Sequence, residues 1–350
     1  MRTHRIAVYP GDGIGPEVTA QAVRVLHAVA EREAFTVALT ELPWGIEYYR
    51  QTGRVVPDNF LDVLRGFDAI LLGAVGWPAE LPDHVTLAPL VQIRQTFDQY
   101  ICLRPVKLYP GVRGVLRDKG PEEIDFVVLR ENSEGEYVDC GGRLRRGTPD
   151  EVALQTAMHT RRGVERALRF GFDLARRRRR RLTMVTKSNA QRFAYTLWDE
   201  VLATIAGDYP DVACDKLHAD AAAMDFVRRP ERFDVVVASN LFGDILTDLG
   251  GIIAGGLGLA ASTNLDPSRQ NPSMFEPVHG SAPDIAGQGI ANPLAAILSA
   301  ALMLDWLGET GAAERIQRAV AETLRAGCAT PDLGGGLTTA DMADEVLRRL

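Results

Sequence analysis

The sequence predicts an α/β fold built on a mixed, largely parallel sheet. Three observations lead there. Short apolar, β-branched runs alternate with helical stretches, the pattern of strand–helix–strand units. The run Phe-Asp-Val-Val-Val-Ala at 233–238 reads as a buried strand that leads directly into a helix. The first glycine-rich turn, Gly11-Asp12-Gly13-Ile14-Gly15-Pro16, departs from the usual dinucleotide fingerprint, because Pro16 stands where Gly or Ala is wanted. The expectation is therefore α/β with much parallel pairing, with only weak support for phosphate cradling by this loop.

Taken in order, residues 6–9 form the first strand. Pro16 suits the first turn of the following helix, whose apolar positions are Val18, Ala22, Val25, Leu26 and Val29. A strand at 35–40, a helix opened by Pro57 and a strongly apolar strand at 67–75 follow. The helix at 87–97 carries Arg94. Residues 103–106 leave it extended, since the residue before a proline disfavours the α region. The strand at 125–129 ends in Arg130. Residues 138–159 read as two β-like arms around a Gly141-Gly142 turn, with little core of their own; such exposed edges pair with another subunit. Helices at 160–178, 189–206 and 219–227 alternate with strands at 182–186 and 212–217. The glycine-rich stretch 250–258 reads as a crossing between lobes and 275–293 as a polar loop. Helices near 293–307, 312–326 and 338–350 finish the chain.

The 350 residues are 46% hydrophobic, ample for more than one core, and carry a net charge of −7. That balance argues against a general nucleic-acid binder. Six consecutive arginines, 176 through 181, close a helix, where cations are favourable; a nucleic-acid patch is the sharper alternative. Cys102, Cys140, Cys214 and Cys328 form no Cys-x-x-Cys pair and fit reduced thiols. The amino terminus leads straight into a strand, and no apolar stretch is long enough for a membrane span. A cytoplasmic, membrane-free protein is expected.

The chemistry concentrates at 240–250, Asn-Leu-Phe-Gly-Asp-Ile-Leu-Thr-Asp-Leu-Gly. Asn240 is placed to cap the helix. Asp244 and Asp248, four apart, project from one face, and Ile245, Leu246 and Leu249 suggest burial. Hard divalent cations take such carboxylates, although two solvated acids are the plainer reading. Asp220 serves equally as a helix cap or a third metal carboxylate. Arg94, Arg104 and Arg130 sit near the ends of successive elements; converging, they suit a dicarboxylic acid, and singly they are ordinary ion pairs. Tyr137 and Lys187 are acid–base candidates.

These motifs together resemble the β-decarboxylating dehydrogenases, the family of isopropylmalate, isocitrate, homoisocitrate and tartrate/D-malate dehydrogenases. The resemblance runs from Gly11 to the Pro331-Asp332-Leu333-Gly334-Gly335 segment, with 240–248 and 279–292 its most specific parts. It implies an isopropylmalate dehydrogenase-like two-lobed fold, not the usual Rossmann fold, which accounts for the departure from the dinucleotide fingerprint. Residues 1–102 and 257–350 become the cofactor lobe and 103–256 the substrate, metal and dimerisation lobe, with a clasp arm at 138–159. It implies that Arg94, Arg104 and Arg130 grip substrate carboxylates and that Asp220, Asp244 and Asp248 hold Mg²⁺ or Mn²⁺, with K⁺ a candidate addition. Tyr137 becomes the acid that protonates an enolate and Lys187 the base that takes a hydroxyl proton. Ile14, Asn189, Glu276, His279, Gly280, Ser281, Ala282, Asp284, Ile285, Asn292 and Asp332 become the NAD contacts. Asp284 suits a ribose 2′-hydroxyl and would repel a 2′-phosphate, so NAD is expected over NADP. Lys187 and Asp220 are expected to act in the active site of a partner subunit, making a homodimer the active unit.

Within the family, Leu87 stands at the glutamate position of the isopropylmalate enzymes' Glu-x-x-Leu-Leu-x-x-Arg pattern, and the serine and asparagine that serve isocitrate are missing. The stretches 73–78, 81–84, 97–100 and 130–137 resemble tartrate dehydrogenase/decarboxylase and D-malate dehydrogenase. The expected reaction is oxidation of a C4 2-hydroxy acid, with D-malate giving pyruvate and CO₂. An isopropylmalate dehydrogenase with an unusual pocket, a noncatalytic regulatory subunit and an RNA binder are the rivals.

Overall fold

The computed structural model describes residues 2–350. The chain runs β1 (Thr3–Gly11), α1 (Gly15–Arg32), β2 (Thr36–Glu41), α2 (Ile46–Thr52), α3 (Phe60–Leu64), β3 (Ala69–Ala74), α4 (Asp83–Thr86) and α5 (Ala88–Thr96). It continues through β4 (Ile101–Lys107), β5 (Asp125–Glu131), the hairpin β6 (Gly141–Leu144) and β7 (Val152–Gln155), α6 (Arg161–Arg176), β8 (Arg181–Thr186), α7 (Ala194–Ile205), β9 (Ala213–His218) and α8 (Ala219–Arg228). The last part is β10 (Val235–Ala238), α9 (Asn240–Ile253), β11 (Ala261–Leu265), β12 (Ser273–Pro277), α10 (Leu294–Trp306), α11 (Thr310–Arg325) and α12 (Thr339–Arg349).

One ten-stranded sheet has the order β2-β1-β3-β12-β11-β4-β5-β10-β8-β9. Pairing is parallel in both flanks and antiparallel only across β12-β11-β4-β5. Two parallel blocks therefore run in opposite directions and meet at a mixed centre. Successive side chains of a strand point to opposite faces, so residue parity decides which core each one joins. Ile6, Val8, Ala69, Leu71, Val127, Leu129, Val235 and Val237 join one continuous core on the reverse face, under α1, α6, α7, α10, α11 and α12. The front face has two separate cores. Ala7, Tyr9, Ile70, Leu72 and Met274 pack with Ile93 and Phe97, while Val106, Phe126, Val128, Val236 and Ala238 pack with Phe226 and Leu246. The gap between the front cores is where the polar residues of β4, β5, β11 and β12 emerge.

The mixed, mostly parallel sheet agrees with the sequence, and the details differ for physical reasons. Asn240 does not cap α9; it is the first helical residue, and its side chain accepts from Arg130 Nε (2.7 Å) and donates to the Glu134 carbonyl (2.8 Å). The helix is buried on one side only, with Ile245 58% exposed. Gly250 and Gly251 belong to α9 rather than to a crossing; a Cβ on Gly250 would lie 2.7 Å from Val106 Cγ2. Gly141 and Gly142 lie in β6, and the chain reverses over 145–150, with Arg145 and Gly147 at positive φ. α7 begins at Ala194 rather than 189, because the Lys187 carbonyl accepts from the amides of Ala190 and Gln191 in a turn. β11 and α2 went unanticipated, and β12 takes the start of the expected polar loop. β11, Ala-Ser-Thr-Asn-Leu, lacks the apolar pattern of a buried strand, yet every residue of it is buried.

Arg176, Arg178, Arg179 and Arg181 of the arginine run are engaged locally. Arg176 pairs with Asp211, and Arg178 with Asp125 and with Asp234, itself 1% exposed. The Arg179 amide donates to Asp234 (2.8 Å), and Arg181 donates to the Arg232 carbonyl (2.8 Å).

Close approach of α9 to β5 depends on Gly243, where a Cβ would lie 2.6 Å from Arg130 Cβ. Gly243→Val should destabilise the protein by about 1–3 kcal/mol through overpacking. Urea unfolding measures this, and an unchanged midpoint would show that α9 can withdraw freely.

Candidate active site

The front gap is floored by side chains that strand parity sends there. On β4, Arg104 shares a face with Val106, and on β5, Arg130 shares a face with Val128. Both guanidiniums reach α9. Arg130 Nη1 forms an ion pair with Asp244 Oδ1, and Arg104 Nη1 lies 3.4 Å from the same oxygen and 3.8 Å from Asp248. Arg104 also donates to Thr247 Oγ1 at 2.6 Å. The Tyr137 hydroxyl donates to the other Asp244 oxygen at 2.9 Å, and Arg130 lies 5.2 Å from the Tyr137 ring centroid.

Arg94 approaches from α5 and donates to Glu276 Oε1 (2.7 Å), which also accepts from Asn264. Its Nε is buried with no partner. The three arginines thus converge on the gap, as the sequence could not show. A cavity of ≈ 130 Å³ lies between Arg94, Arg104, Glu276 and His279, walled by Leu72, Leu87 and Leu90.

Electrostatics separates the acids. Burial pushes the Asp244 carboxyl up, but Arg130, Arg104 and the Tyr137 hydroxyl outweigh it and leave it below the usual carboxylate range. Burial dominates at Asp248 and leaves it raised. Burial and the Asp244 carboxylate push the Tyr137 phenol up to about 12. Tyr137 therefore stays protonated at neutral pH and can give a proton.

Lys187 and Asp220 form a second group. Lys187 Nζ donates to Asp220 Oδ1 at 2.6 Å, which lowers the Asp220 carboxyl. Lys187 is thus paired with a carboxylate that is itself 62% exposed. Within one chain, among the described residues, no cluster of three or more His, Cys, Asp or Glu is placed to hold a metal ion. Asp220 does not join Asp244 and Asp248; the carboxylates stand as two partial sets.

The proposed cofactor residues gather at the carboxyl ends of β1, β3 and β12, the usual place for ligands in α/β sheets. The Ile14 amide donates to the Ser281 carbonyl (2.8 Å), which a Cβ on Gly13 would meet at 1.9 Å. Gly13 (φ +60°) is thus required for the loop to dock. Around this contact lie Glu276, His279, Gly280, Ala282, Asp284 and Ile285. Asp284 is exposed and its carboxylate accepts no hydrogen bond among the described residues. Burial pushes the His279 imidazole down, and its Nε2 is buried without a partner. Asn292 donates to Asp332 (3.0 Å) at the far end of the loop. Asn189 lies apart, on the turn after Lys187, with no hydrogen bond to the loop.

Several residues that shape the site were missed. Asp12, 3% exposed, accepts from the amides of Ile46 (2.6 Å) and Gly76 (2.8 Å) and ties three loops together. An acid between two glycines was its only signal. Glu134 joins the loop of Tyr137 to α6, accepting from the Thr160 amide (2.7 Å) and hydroxyl (2.6 Å). Arg166 forks onto Asp98, donates to Ser133 (2.9 Å) and lies 3.8 Å from the Tyr100 ring centroid. His159 accepts from Trp198 Nε1 (3.2 Å), with its other nitrogen buried and unpartnered. No sequence pattern marks these long-range partners.

Comparison with known proteins matches residues 5–346 to the isocitrate/isopropylmalate dehydrogenase model. The chain is 50% identical to the D-malate dehydrogenase (decarboxylating) of Escherichia coli (strain K12), over 99% of each chain. It is also 50% identical to the 3-isopropylmalate dehydrogenase of Thermobifida fusca (strain YX), over 100% of this chain and 98% of the other. The crystal structure of isocitrate dehydrogenase from Methylococcus capsulatus superposes with a TM-score of 0.88 at 37% identity, covering 99% of each chain.

Burial holds His159 below its ordinary 6.5 despite the acids Glu136 and Glu134. The depressed value means that its contribution to stability is complete above pH 6.5 and is lost as pH falls through the folded value. His159→Phe should therefore flatten the acid side of the stability profile. Denaturation midpoints from pH 7.5 downward check this; parallel profiles would remove His159 as a source of the slope.

Proposed function

The chain belongs to the isocitrate/isopropylmalate dehydrogenase family, and we propose that it oxidises a C4 2-hydroxy acid, D-malate or tartrate, with NAD, D-malate losing CO₂ to give pyruvate. The observation that carries this is Asp244: one carboxylate meets two substrate-class arginines and a protonated tyrosine. We read residues 1–102 and 257–350 as the cofactor lobe and 103–256 as the substrate lobe.

Carboxylate oxygens from Asp244 and Asp248, with side chains 34% and 63% exposed, fit a hard divalent cation, and Asp220 supplies another. Mg²⁺ or Mn²⁺ held there would supply Lewis-acid polarisation of the substrate oxygens. NAD would supply the hydride acceptor, held by the 279–285 loop with Ile14, Asn189, Glu276, Asn292 and Asp332. The unpartnered His279 Nε2 and the free Asp284 carboxylate support that fit, and Asp284 disfavours a 2′-phosphate. The unpartnered Nε of Arg94 suits a substrate carboxylate, which Arg104 and Arg130 also bind. Lys187 takes the hydroxyl proton. Tyr137 delivers a proton to the carbon that has lost CO₂.

A homodimer completes the site. Met224 and Val227 on α8 and Ile245 and Ile252 on α9 are exposed, as are Leu144, Val152 and Leu154 of the β6–β7 arm, both of whose strands are exposed throughout. A second copy covering these faces would bring its Lys187 and Asp220 to Asp244 and Asp248.

The second reading is 3-isopropylmalate oxidation, favoured by the leucine wall beside Arg94. A panel of D-malate, the tartrate isomers and 3-isopropylmalate, each with NAD and NADP and with or without K⁺, separates them. The highest kcat/KM is expected for a C4 acid with NAD; a large preference for the branched acid would overturn the choice. Shared sites are tested by mixing chains. Lys187→Ala and Asp244→Asn should each be folded, dimeric and inactive. Unfolded and refolded together, they should regain about a quarter of wild-type activity, because half the dimers hold one intact site of two. No recovery from folded mixed dimers would sink the shared arrangement.

A further inference from the structure

The reverse face of the sheet holds a cavity of ≈ 320 Å³ that no role above uses. Leu103 and Val127 lie in its floor, and Leu174 of α6 and Leu298 and Leu302 of α10 form its walls. Its size falls within the roughly 300–1,000 Å³ of small-molecule sites. Alternation along β4 places it behind Arg104, so it shares strands with the front site but not the arginine side chains.

Its polar lining is unspent. Lys107, Tyr109, Asp305 and Gln317 line the cavity. None of their side chains makes an ion pair or a conventional hydrogen bond among the described residues. Tyr109 is only 8% exposed as a residue, and its hydroxyl, open to the cavity, makes no hydrogen bond among the described residues. The Lys107 ammonium lies 5.5 Å from the Tyr109 ring centroid, on the same side of the cavity. The remaining charges, Arg178 and Asp125, neutralise one another at 2.8 Å. What is left is one free cation beside a phenol, one free anion, one amide and an aliphatic wall.

We propose that this cavity binds a small aliphatic zwitterion, an α-amino acid. Its carboxylate meets Lys107 and Tyr109, its ammonium meets Asp305 and Gln317, and its side chain packs on the leucines. A purely anionic ligand would find a counter-charge only at Lys107 and a purely cationic one only at Asp305, whereas a zwitterion is complementary to both.

Calorimetric titration of the full chain with L-leucine, L-methionine and L-norvaline reads binding without turnover, so its outcome is independent of the proposed reaction. Saturable binding of at least one is expected. 4-Methylpentanoate, lacking the ammonium, and leucinol, lacking the carboxylate, should bind at least about tenfold more weakly than leucine, for loss of a charge-assisted hydrogen bond. Lys107→Met and Asp305→Asn, both at exposed positions, should each weaken the amino acid about as much, and Leu302→Trp should abolish binding by filling the space. Thermal midpoints verify that the variants are folded, and the two exposed variants decide the matter if Leu302→Trp is not. No binding of any of the three amino acids, or affinity indifferent to both charge changes, overturns the proposal.

Discussion

Everything on the front face is arranged around the Asp244 carboxylate. Two acids one helical turn apart repel, and partial burial makes each more costly to ionise. The chain resolves this by driving Arg130 and Arg104 from neighbouring strands against α9, so that the Asp244 carboxyl is held below the usual carboxylate range while burial leaves that of Asp248 raised. Removing Asp244 would leave the buried Arg130 and Arg104 guanidiniums without their counter-charge, which is destabilising. Burial first, and then the same carboxylate, raise the Tyr137 phenol, whose hydroxyl donates to Asp244.

That contact depends on a scaffold of polar groups that reads poorly as a core. Asn240 gives up capping to hold Arg130 Nε, and Asn264 on the polar strand β11 bridges Asn132 and Glu276. Ser262, also on β11, lies 3.4 Å from Arg104 Nε. These partners lie on or just beyond nearby strands or on α9, and most are far apart in sequence, so the network holds only when the sheet has closed.

The sheet itself separates the tasks. Its parallel blocks run in opposite directions, and the antiparallel centre carries polar residues forward and apolar ones back. One continuous core behind gives a common support, whereas two cores in front leave a polar cleft between them. The β6–β7 arm and the exposed faces of α8 and α9 belong to neither core.

Fold class and most element positions were legible in the sequence, because apolar periodicity and turn chemistry are local properties; the candidate residues came from motifs and from the family resemblance those motifs carry. β10 could be read directly from its valines, and α9 from its spacing of acids. β11 could not, since a strand of Ser, Thr and Asn lacks an apolar pattern and becomes buried through its pairing with β12 and through Arg104 and Asn132, 158 and 132 residues distant. Sequence also supplied Arg94, Arg104 and Arg130 as separate candidates. Their convergence, and the division of the aspartates into Asp244 with Asp248 on one side and Asp220 with Lys187 on the other, was decided by strand order and strand parity. Those follow from how distant segments pair and which core each face must bury, and no local pattern encodes either.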